Sequence, residues 1–312
     1  VEASRNFANK IWNASRFIMM NMEKSPVPET EPETLTRADR WILSKANTLV
    51  QDVTDNMEKF ELGIALQKVY DFTWDEFCDW YIEIVKPRLY GKESNPVSAN
   101  AALWTLQTVL TDSLKLLHPF MPFVTEEIFC SLHPEEESIM ISDWPVYREE
   151  RNFAKEEAMV ERAKDLVKGM RALRLDMDVP IAKKAKLFIT TTKDEGREVF
   201  TAVRPVYETL AGASEVEVQA DTTGIPEKAV SFVIPDAVIY VPLEDLVDFE
   251  KEKERLTKEK ERLTKELVRS KTMLSNEKFL AKAPEAKVAE EKEKQKKYEQ
   301  MMADVEARLL SM

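Results

Sequence analysis

Glycine is scarce in this chain, with 6 among 312 residues. That leaves no material for a glycine-rich phosphate loop. Few tight turns and 13 methionines favour helix. Cysteine and histidine are scarcer, with two of each: Cys78, Cys130, His118 and His133. A structural zinc cluster needs four ligands at characteristic spacing, and that pattern is missing, so no metal site is expected. The two cysteines read as buried thiols in a reducing compartment rather than as a disulfide. No apolar run approaches the roughly 18 residues of a membrane span. VEASRNFANKIW at the start has no signal-peptide core. It begins in mid-pattern without Met, which reads as a fragment or a processed chain. A cytoplasmic location without a membrane partner is expected. Net positive charge is lacking too: at −12 a uniformly basic surface is excluded, but a local basic patch is not.

What is present is helical periodicity. The length suits two or three domains, and 44% hydrophobic with 33% charged residues describes a folded protein rich in surface helix. Phe77, Trp80, Tyr81, Ile84, Val85, Arg88 and Leu89 form a stripe along Glu76–Tyr90. Pro87 should end or kink that helix near Lys86. Lys86 and Arg88 flank the break, either as charged edges of a core helix or facing an anion. Phe7, Ile11, Ala14, Ile18 and Met22 mark a first helix. Arg5, Asn6, Lys10, Asn13 and Arg16 line its other edge, the one clearly basic helix edge in an acidic region. Such an edge suits either solvent or phosphate and base edges. Three prolines in SPVPETEPE mark an extended linker. Helices follow over Thr36–Met57 and Leu62–Tyr90, then from Ala101 to Leu117, and a short one leads to Leu132. His118 reads as a capping or packing residue. The expected architecture is mainly α: an antiparallel helical bundle over residues 1–150.

Residues 151–245 mix helix and strand patterns. Strands are predicted over Ala185–Thr191, Glu215–Gln219, Ala229–Ile234 and Ala237–Val241, giving a small, mostly antiparallel sheet in an α/β domain. Arg171, Arg174, Lys183, Lys184 and Lys186 form a local basic cluster, read as surface charge near a hinge or as a patch. From residue 246 to 312 the pattern is heptad. KERLTKE occurs at Lys253–Glu259 and again at Lys260–Glu266. Phe249, Leu256 and Leu263 lie on one register; Leu246, Lys253, Lys260, Leu267 and Leu274 lie on its companion. Val288, Gln295, Met302 and Leu309 continue the seam in a second arm, with Glu291, Tyr298, Val305 and Met312. Two such arms make an antiparallel coiled-coil hairpin on the order of 40 Å long. The two lysines on its seam predict weak coupling in its middle. With 17 Lys and Arg against 15 Asp and Glu, this stretch carries +2, leaving −14 on the preceding 245 residues. A cationic arm on an acidic body can meet nucleic-acid phosphate or a partner helix.

No nucleophile motif, metal spacing or phosphate loop is present, so no catalytic residue is assigned. NFANKIWNASRF, DEFCDWYIEIVKPRLY and LLHPFMPFVTEEIF resemble the anticodon-binding helical domain of class I aminoacyl-tRNA synthetases for branched aliphatic amino acids. VIYVPLEDLVDFEKEKERLTKE and LSNEKFLAKAPEAKVAEEKEK closely resemble the C-terminal end of the bacterial valyl-tRNA synthetase family. The resemblance covers essentially the whole chain. It implies a bundle that binds the anticodon of valine tRNA and a coiled-coil arm that contacts the tRNA elbow. It implies no cofactor here, with ATP and Mg2+ serving a full-length valine–tRNA ligase. Its implied partners are valine tRNA and the absent N-terminal catalytic and editing domains of the same protein, with no DNA and a monomeric state. On the anticodon side it implies Arg5, Asn6, Lys10, Asn13, Arg16, Phe17, Lys86 and Arg88. Phe17 would stack on a base or pack in the core, and Lys86 and Arg88 would contact phosphate or cap structure. On the elbow side it implies Lys258, Arg262, Lys265, Arg269, Lys271, Lys278 and Lys282. The alternative is a helical protein–protein adaptor with a coiled-coil arm.

Overall fold

The computed structural model describes residues 2–90, 95–180, 182–246, 249–275 and 285–311. It forms two compact units, Val1–Val241 and Pro242–Met312. The first unit opens with α1 (Glu2–Met22), α2 (Arg37–Glu58), α3 (Leu62–Asp71) and α4 (Ile82–Tyr90). It continues with α5 (Pro96–Leu117) and α6 (Pro122–Leu132). Local chemistry sets several starts. Thr36 and Asp39 close a capping box on α2, and Asn95 caps α5 with Pro96 in its first turn. α1 runs parallel to α3 and α4, since Phe7 meets Tyr70 and Phe17 meets Tyr90. Fully buried Ile11, Ile18, Trp41, Ile42, Tyr81, Leu106 and Leu110 form the core between the helices.

Two expectations for Glu76–Tyr90 need correcting. Phe72–Tyr81 is π-helical, and the Ile82 N–H bonds the Phe77 carbonyl five residues back. The wider turn advances the buried stripe by one residue. Ile82 and Val85 are buried, while Ile84 is only half-buried. Pro87 does not end the helix, which continues to Tyr90. Proline removes one N–H bond, but the Arg88 side chain holds the turn beyond it.

That anchor is a closed hydrogen-bond set around Asp39, which has 0% exposure. Arg88 donates Nη1 to Asp39 Oδ1 at 2.6 Å and Nη2 to Asp39 Oδ2 at 2.9 Å. Its other donors reach Ser98 Oγ, Thr36 Oγ1 and the Ser98 carbonyl. All five guanidinium N–H groups are thus used. Tyr81 donates its hydroxyl to Asp39 Oδ1 at 2.7 Å, and the Thr36 N–H donates to Oδ2 at 2.9 Å. Burial, reinforced by the Asp39 charge, pushes the Tyr81 phenol well above its ordinary pKa and keeps it a donor. Burial pulls the Arg88 guanidinium down, but hydrogen bonding and charge from Asp39 outweigh it and leave its pKa raised.

α7 (Ala154–Asp176) then packs on both α2 and the sheet. Buried Lys164 on α7 bonds both oxygens of Glu76, at 2.9 and 2.7 Å. Its Nζ lies 5.4 Å from the Trp41 ring and 5.5 Å from the Trp80 ring. On the sheet side, Gly169 permits close approach: a Cβ there would meet the Phe232 ring at 2.4 Å. The sheet has the order β2-β1-β4-β3, with β1 (Ala185–Thr190), β2 (Ala213–Gln219), β3 (Ala229–Ile234) and β4 (Ala237–Pro242). β1 pairs parallel with β2 and antiparallel with β4, so the expected mostly antiparallel sheet is a mixed one with a parallel β1–β2 pair. The helical crossover through α8 (Asp194–Ala202) and α9 (Arg204–Val206) lets β2 return in the same direction as β1.

The second unit holds a one-turn α10 (Leu243–Leu246), then α11 (Phe249–Leu274) packed on α12 (Glu285–Ser311). Leu263, Leu267 and Ser270 are buried in the seam. Ser270 Oγ donates to the Glu291 carbonyl at 3.5 Å. Lys260 is half-buried and pairs with Glu306 on α12 at 2.8 Å, so this seam lysine links the helices. The side chains of Phe249, Lys253, Leu256, Leu309 and Met312, and the turn at Ala283-Pro284, lie outside the described residues.

Removing one partner of a buried ion pair leaves the other uncompensated. Arg88→Met is therefore expected to destabilise the first unit by about 3–5 kcal/mol in urea denaturation. An unchanged midpoint would show that the Asp39 site carries no stability.

Candidate nucleic-acid interface

The exposed face of α1 carries Arg5, Asn6, Asn9, Asn13 and Arg16 within an arc of about 100°. Arg5 lies 4.0 Å from Glu2 in a mostly exposed pair. Asn6, Asn13 and Arg16 make no side-chain bond among the described residues. Lys10 does not join this open face. It donates to Asp79 at 2.5 Å and sits 4.0 Å above the Trp74 ring, which itself stacks on Tyr70. The same periodicity that suggested a basic edge rotates Lys10 towards the bundle.

At the far end of α1 the structure gathers an aromatic and cationic cluster. Half-buried Phe17 meets Tyr90 edge-on at 5.9 Å. Lys86 lies 5.9 Å from Phe17 and bonds Glu83 at 2.5 Å, while Lys24 lies 5.3 Å from Tyr90. Asn21 holds the Tyr90 hydroxyl at 2.9 Å, and Tyr90 remains 55% exposed. Aromatic faces beside cations suit unstacked nucleic-acid bases and the phosphates between them. Sequence reading missed Lys24 and Tyr90. Their signal was an aromatic at a helix end, but only tertiary packing puts it beside Phe17. Arg88 is absent from this surface because its five donors face inward.

The basic cluster after α7 dissolves into separate roles. Arg174 is buried and bonds the carbonyls of Pro180, Lys183 and Gly212. Burial lowers its pKa. Lys186 bridges Glu215 and Glu217, and Arg171 lies 5.4 Å from the Trp80 ring. Lys184 is exposed. The residues therefore serve mainly to join loop, sheet and bundle.

On α11, Lys258, Arg262, Lys265 and Arg269 recur at i, i+4, i+7 and i+11. All four are exposed, along one stripe about 60° wide and away from the seam. Arg262 also pairs with Glu259 at 2.5 Å. Lys271 lies on another side and faces Glu299 at 3.8 Å. Lys278 and Lys282 lie outside the described residues. Such a stripe offers cations at regular axial intervals without a base-reading group, which suits a phosphate backbone.

The two histidines support local packing. His118 Nδ1 bonds Thr125 Oγ1 at 2.7 Å and its Nε2 lies 2.9 Å from Met140 Sδ; His133 bonds Thr111 at 2.8 Å. Cys78 is buried, with its thiol pushed up to about 12 by burial, whereas Cys130 is only half-buried. Among the described residues, no cluster of His, Cys, Asp and Glu could hold a metal ion. No described helix is long and apolar enough to cross a membrane. A cavity of about 600 Å3 between α2, α4, α7 and α9 is lined by Arg37, Arg40, Ile84, Val203 and Val206.

Comparison with known proteins places both regions. A family described as the anticodon-binding domain of tRNA ligase matches residues 39–189. One described as the valyl tRNA synthetase tRNA binding arm matches residues 248–312. The valine–tRNA ligase of Clostridium tetani is 50% identical over 313 residues, covering 100% of this chain and 35% of that protein. That of Clostridium perfringens is 47% identical over 310 residues, covering 99% and 35%. That of Carboxydothermus hydrogenoformans is 40% identical over 294 residues, covering 94% and 33%. The chain thus spans about a third of the length of the curated relatives it matches.

Each lysine or arginine on a phosphate steepens the salt dependence of binding by about one unit of slope. Lys265→Glu combined with Arg269→Glu is expected to weaken tRNA binding at least about tenfold and to lower the slope by about two. Filter binding across a salt series reads both. An unchanged slope would remove these residues from the interface.

Proposed function

Because the chain belongs to the bacterial valine–tRNA ligase family, as its C-terminal anticodon-binding and tRNA-arm region, we propose that it recognises valine tRNA at two places. The bundle binds the anticodon, and the arm binds the tRNA elbow. Together they orient the tRNA for ATP- and Mg2+-dependent aminoacylation, and for editing, by domains that the longer relatives carry. The observation that carries this reading is the open α1 face leading to Phe17 and Tyr90. Its amides can hydrogen-bond base edges, its arginines can bind phosphate, and the exposed ring can stack on an unpaired base. The arm has a different chemistry. Its exposed cations can hold backbone phosphate without reading sequence, so it supplies affinity and orientation while the bundle supplies identity.

The residues divide accordingly. Arg5, Asn6, Asn13 and Arg16 act on the anticodon side, with Phe17, Lys24, Lys86 and Tyr90 at its end. Lys10 orients Trp74 and Asp79, and Arg88 fixes the bundle that presents the face. Lys258, Arg262, Lys265 and Arg269 form the elbow contact.

The test titrates the 312-residue chain with valine tRNA, an anticodon-altered valine tRNA and an unrelated tRNA, each at two salt concentrations. Valine tRNA is expected to bind tightest, with a roughly tenfold loss on anticodon change that persists at the higher salt, since base contacts outlast phosphate contacts. Equal binding of all three at low salt, abolished together at higher salt, would reject identity reading. No RNA preference, together with capture of a protein by the arm, would favour an adaptor.

A further inference from the structure

The unit that holds the bundle and the sheet keeps a space that its packing does not fill. It is the cavity of about 600 Å3 between α2, α4, α7 and α9. Packed interiors hold few voids larger than a water molecule, whereas sites for small ligands run to several hundred Å3. Val203 and Val206, three residues apart beside and within α9, form its apolar walls with Val160 on α7 and Ile84 on α4. Arg37 and Arg40, three residues apart at the start of α2, stand along one edge.

Backbone irregularity gathers around this space. The π-helical turn of Phe72–Tyr81 shifts the buried stripe, which leaves Ile84 half-buried at the cavity wall instead of in the core. A second π-helical turn, Tyr207–Ala211, follows directly on Val206 and brings Thr209 to the same space. Such turns are rare and recur at functional sites. Charge is uneven as well. Arg37 is exposed and makes no side-chain bond among the described residues. Arg40 reaches Glu156 at 3.4 Å, a long contact that leaves most of its five N–H donors open. Arg88 also borders the cavity, but Asp39 neutralises it. With Arg37 and Arg40 against Glu156, the edge keeps a positive excess.

We propose that this cavity binds a small amphipathic anion. Its aromatic or aliphatic body lies between Ile84, Val160, Val203 and Val206, and its carboxylate, sulfonate or phosphate-ester head lies on Arg37 and Arg40. The valine and isoleucine walls reward burial of apolar area. The guanidinium groups donate charge-assisted hydrogen bonds to the head, and Arg40 can turn to it from a contact already near the limit of bonding length. A cationic ligand would meet two arginines instead, and a bare inorganic anion would leave the apolar walls wet. Thr36, Arg88 and Ser98 also border the cavity, and they belong to the hydrogen-bond set around Asp39. A bound ligand therefore braces that set and stabilises the folded unit by mass action. None of the six ligand-facing residues is assigned to tRNA, so the site stands whether or not the bundle reads an anticodon.

Fluorescence titration of the 312-residue chain with anilinonaphthalene sulfonate tests it, beside phenylnaphthylamine, which has the same body without the anionic head. One sulfonate molecule per chain is expected, with the neutral probe about tenfold weaker. Val206→Trp fills the cavity and is expected to weaken both probes at least about tenfold. Arg37→Ala, at an exposed side chain, is expected to weaken the sulfonate several-fold and to leave the neutral probe unchanged. If Val206→Trp does not fold, the Arg37→Ala pattern decides. Decanoate and naphthyl phosphate should displace the sulfonate, and inorganic phosphate should not. Equal affinity for the two probes, or sulfonate binding unchanged in the variants, would overturn the proposal. So would displacement by inorganic phosphate as readily as by naphthyl phosphate, since the apolar walls would then contribute nothing. Displacement by an equivalent of valine tRNA would also overturn it, because the cavity would then belong to the RNA contact.

Discussion

Asp39 is a carboxylate without solvent, and much of the helical bundle is arranged around satisfying it. Its side chain serves three elements at once. It caps the start of α2 through Thr36, receives the Tyr81 hydroxyl from the π-helical segment, and receives the Arg88 fork from α4. Arg88 in turn reaches Ser98 at the start of α5. Apolar packing supplies most of the bundle's cohesion, but it is tolerant of sliding and rotation. A two-pronged guanidinium on a buried carboxylate is not, because leaving either partner unpaired is costly. The polar node therefore sets the helix register, while Trp41, Ile42 and Leu106 supply cohesion around it.

The same node explains why Arg88 and Lys86 part company. They flank one proline, yet Arg88 turns inward with every donor used and Lys86 joins the aromatic cluster near Phe17 and Tyr90. The bundle end can present that cluster because the turn carrying it is anchored from beneath. Lys164 acts similarly at the join between α2, the π-helical segment and α7. There a buried ammonium lies near two tryptophan rings and bonds the carboxylates of Glu76 and Glu161, which links the bundle to the helix bearing the sheet. On the arm the demand is looser. Exposed cations on one helix stripe need only a straight helix, and the seam beneath them tolerates both Ser270 and Lys260.

Much of the site was legible in periodicity. The α1 pattern separates buried Phe7, Ile11 and Ile18 from exposed Arg5, Asn13 and Arg16, because a regular helix maps sequence spacing directly onto angle. The arm cations follow the same rule. Lys10 and Lys271 escaped it, since both lie near the boundary of their helix face and neighbouring acids decide which way they turn. Ser270 lies seven residues beyond Leu263, so the heptad pointed to it, yet a polar residue hid its burial. The expected break at Pro87 failed because local propensity has no knowledge of five side-chain bonds to distant residues. The parallel pairing of β1 and β2 was hidden for a comparable reason. Strand patterns report which residues face inward, while the direction of a neighbour depends on the path of the chain between them.

The sequence alone determined the helical character, the bundle followed by a small sheet, the heptad pair and the cationic stripe. Each follows from spacing between nearby residues, and spacing is all that regular secondary structure requires. The motifs also sufficed for the family. Tertiary structure decided which charges are available. Arg88 and Arg174 became internal braces, Lys10 turned to Trp74 and Asp79, and Tyr90 with Lys24 joined Phe17. A side chain's role depends on whether a partner lies within about 3 Å, and those partners are set by the fold across tens of residues.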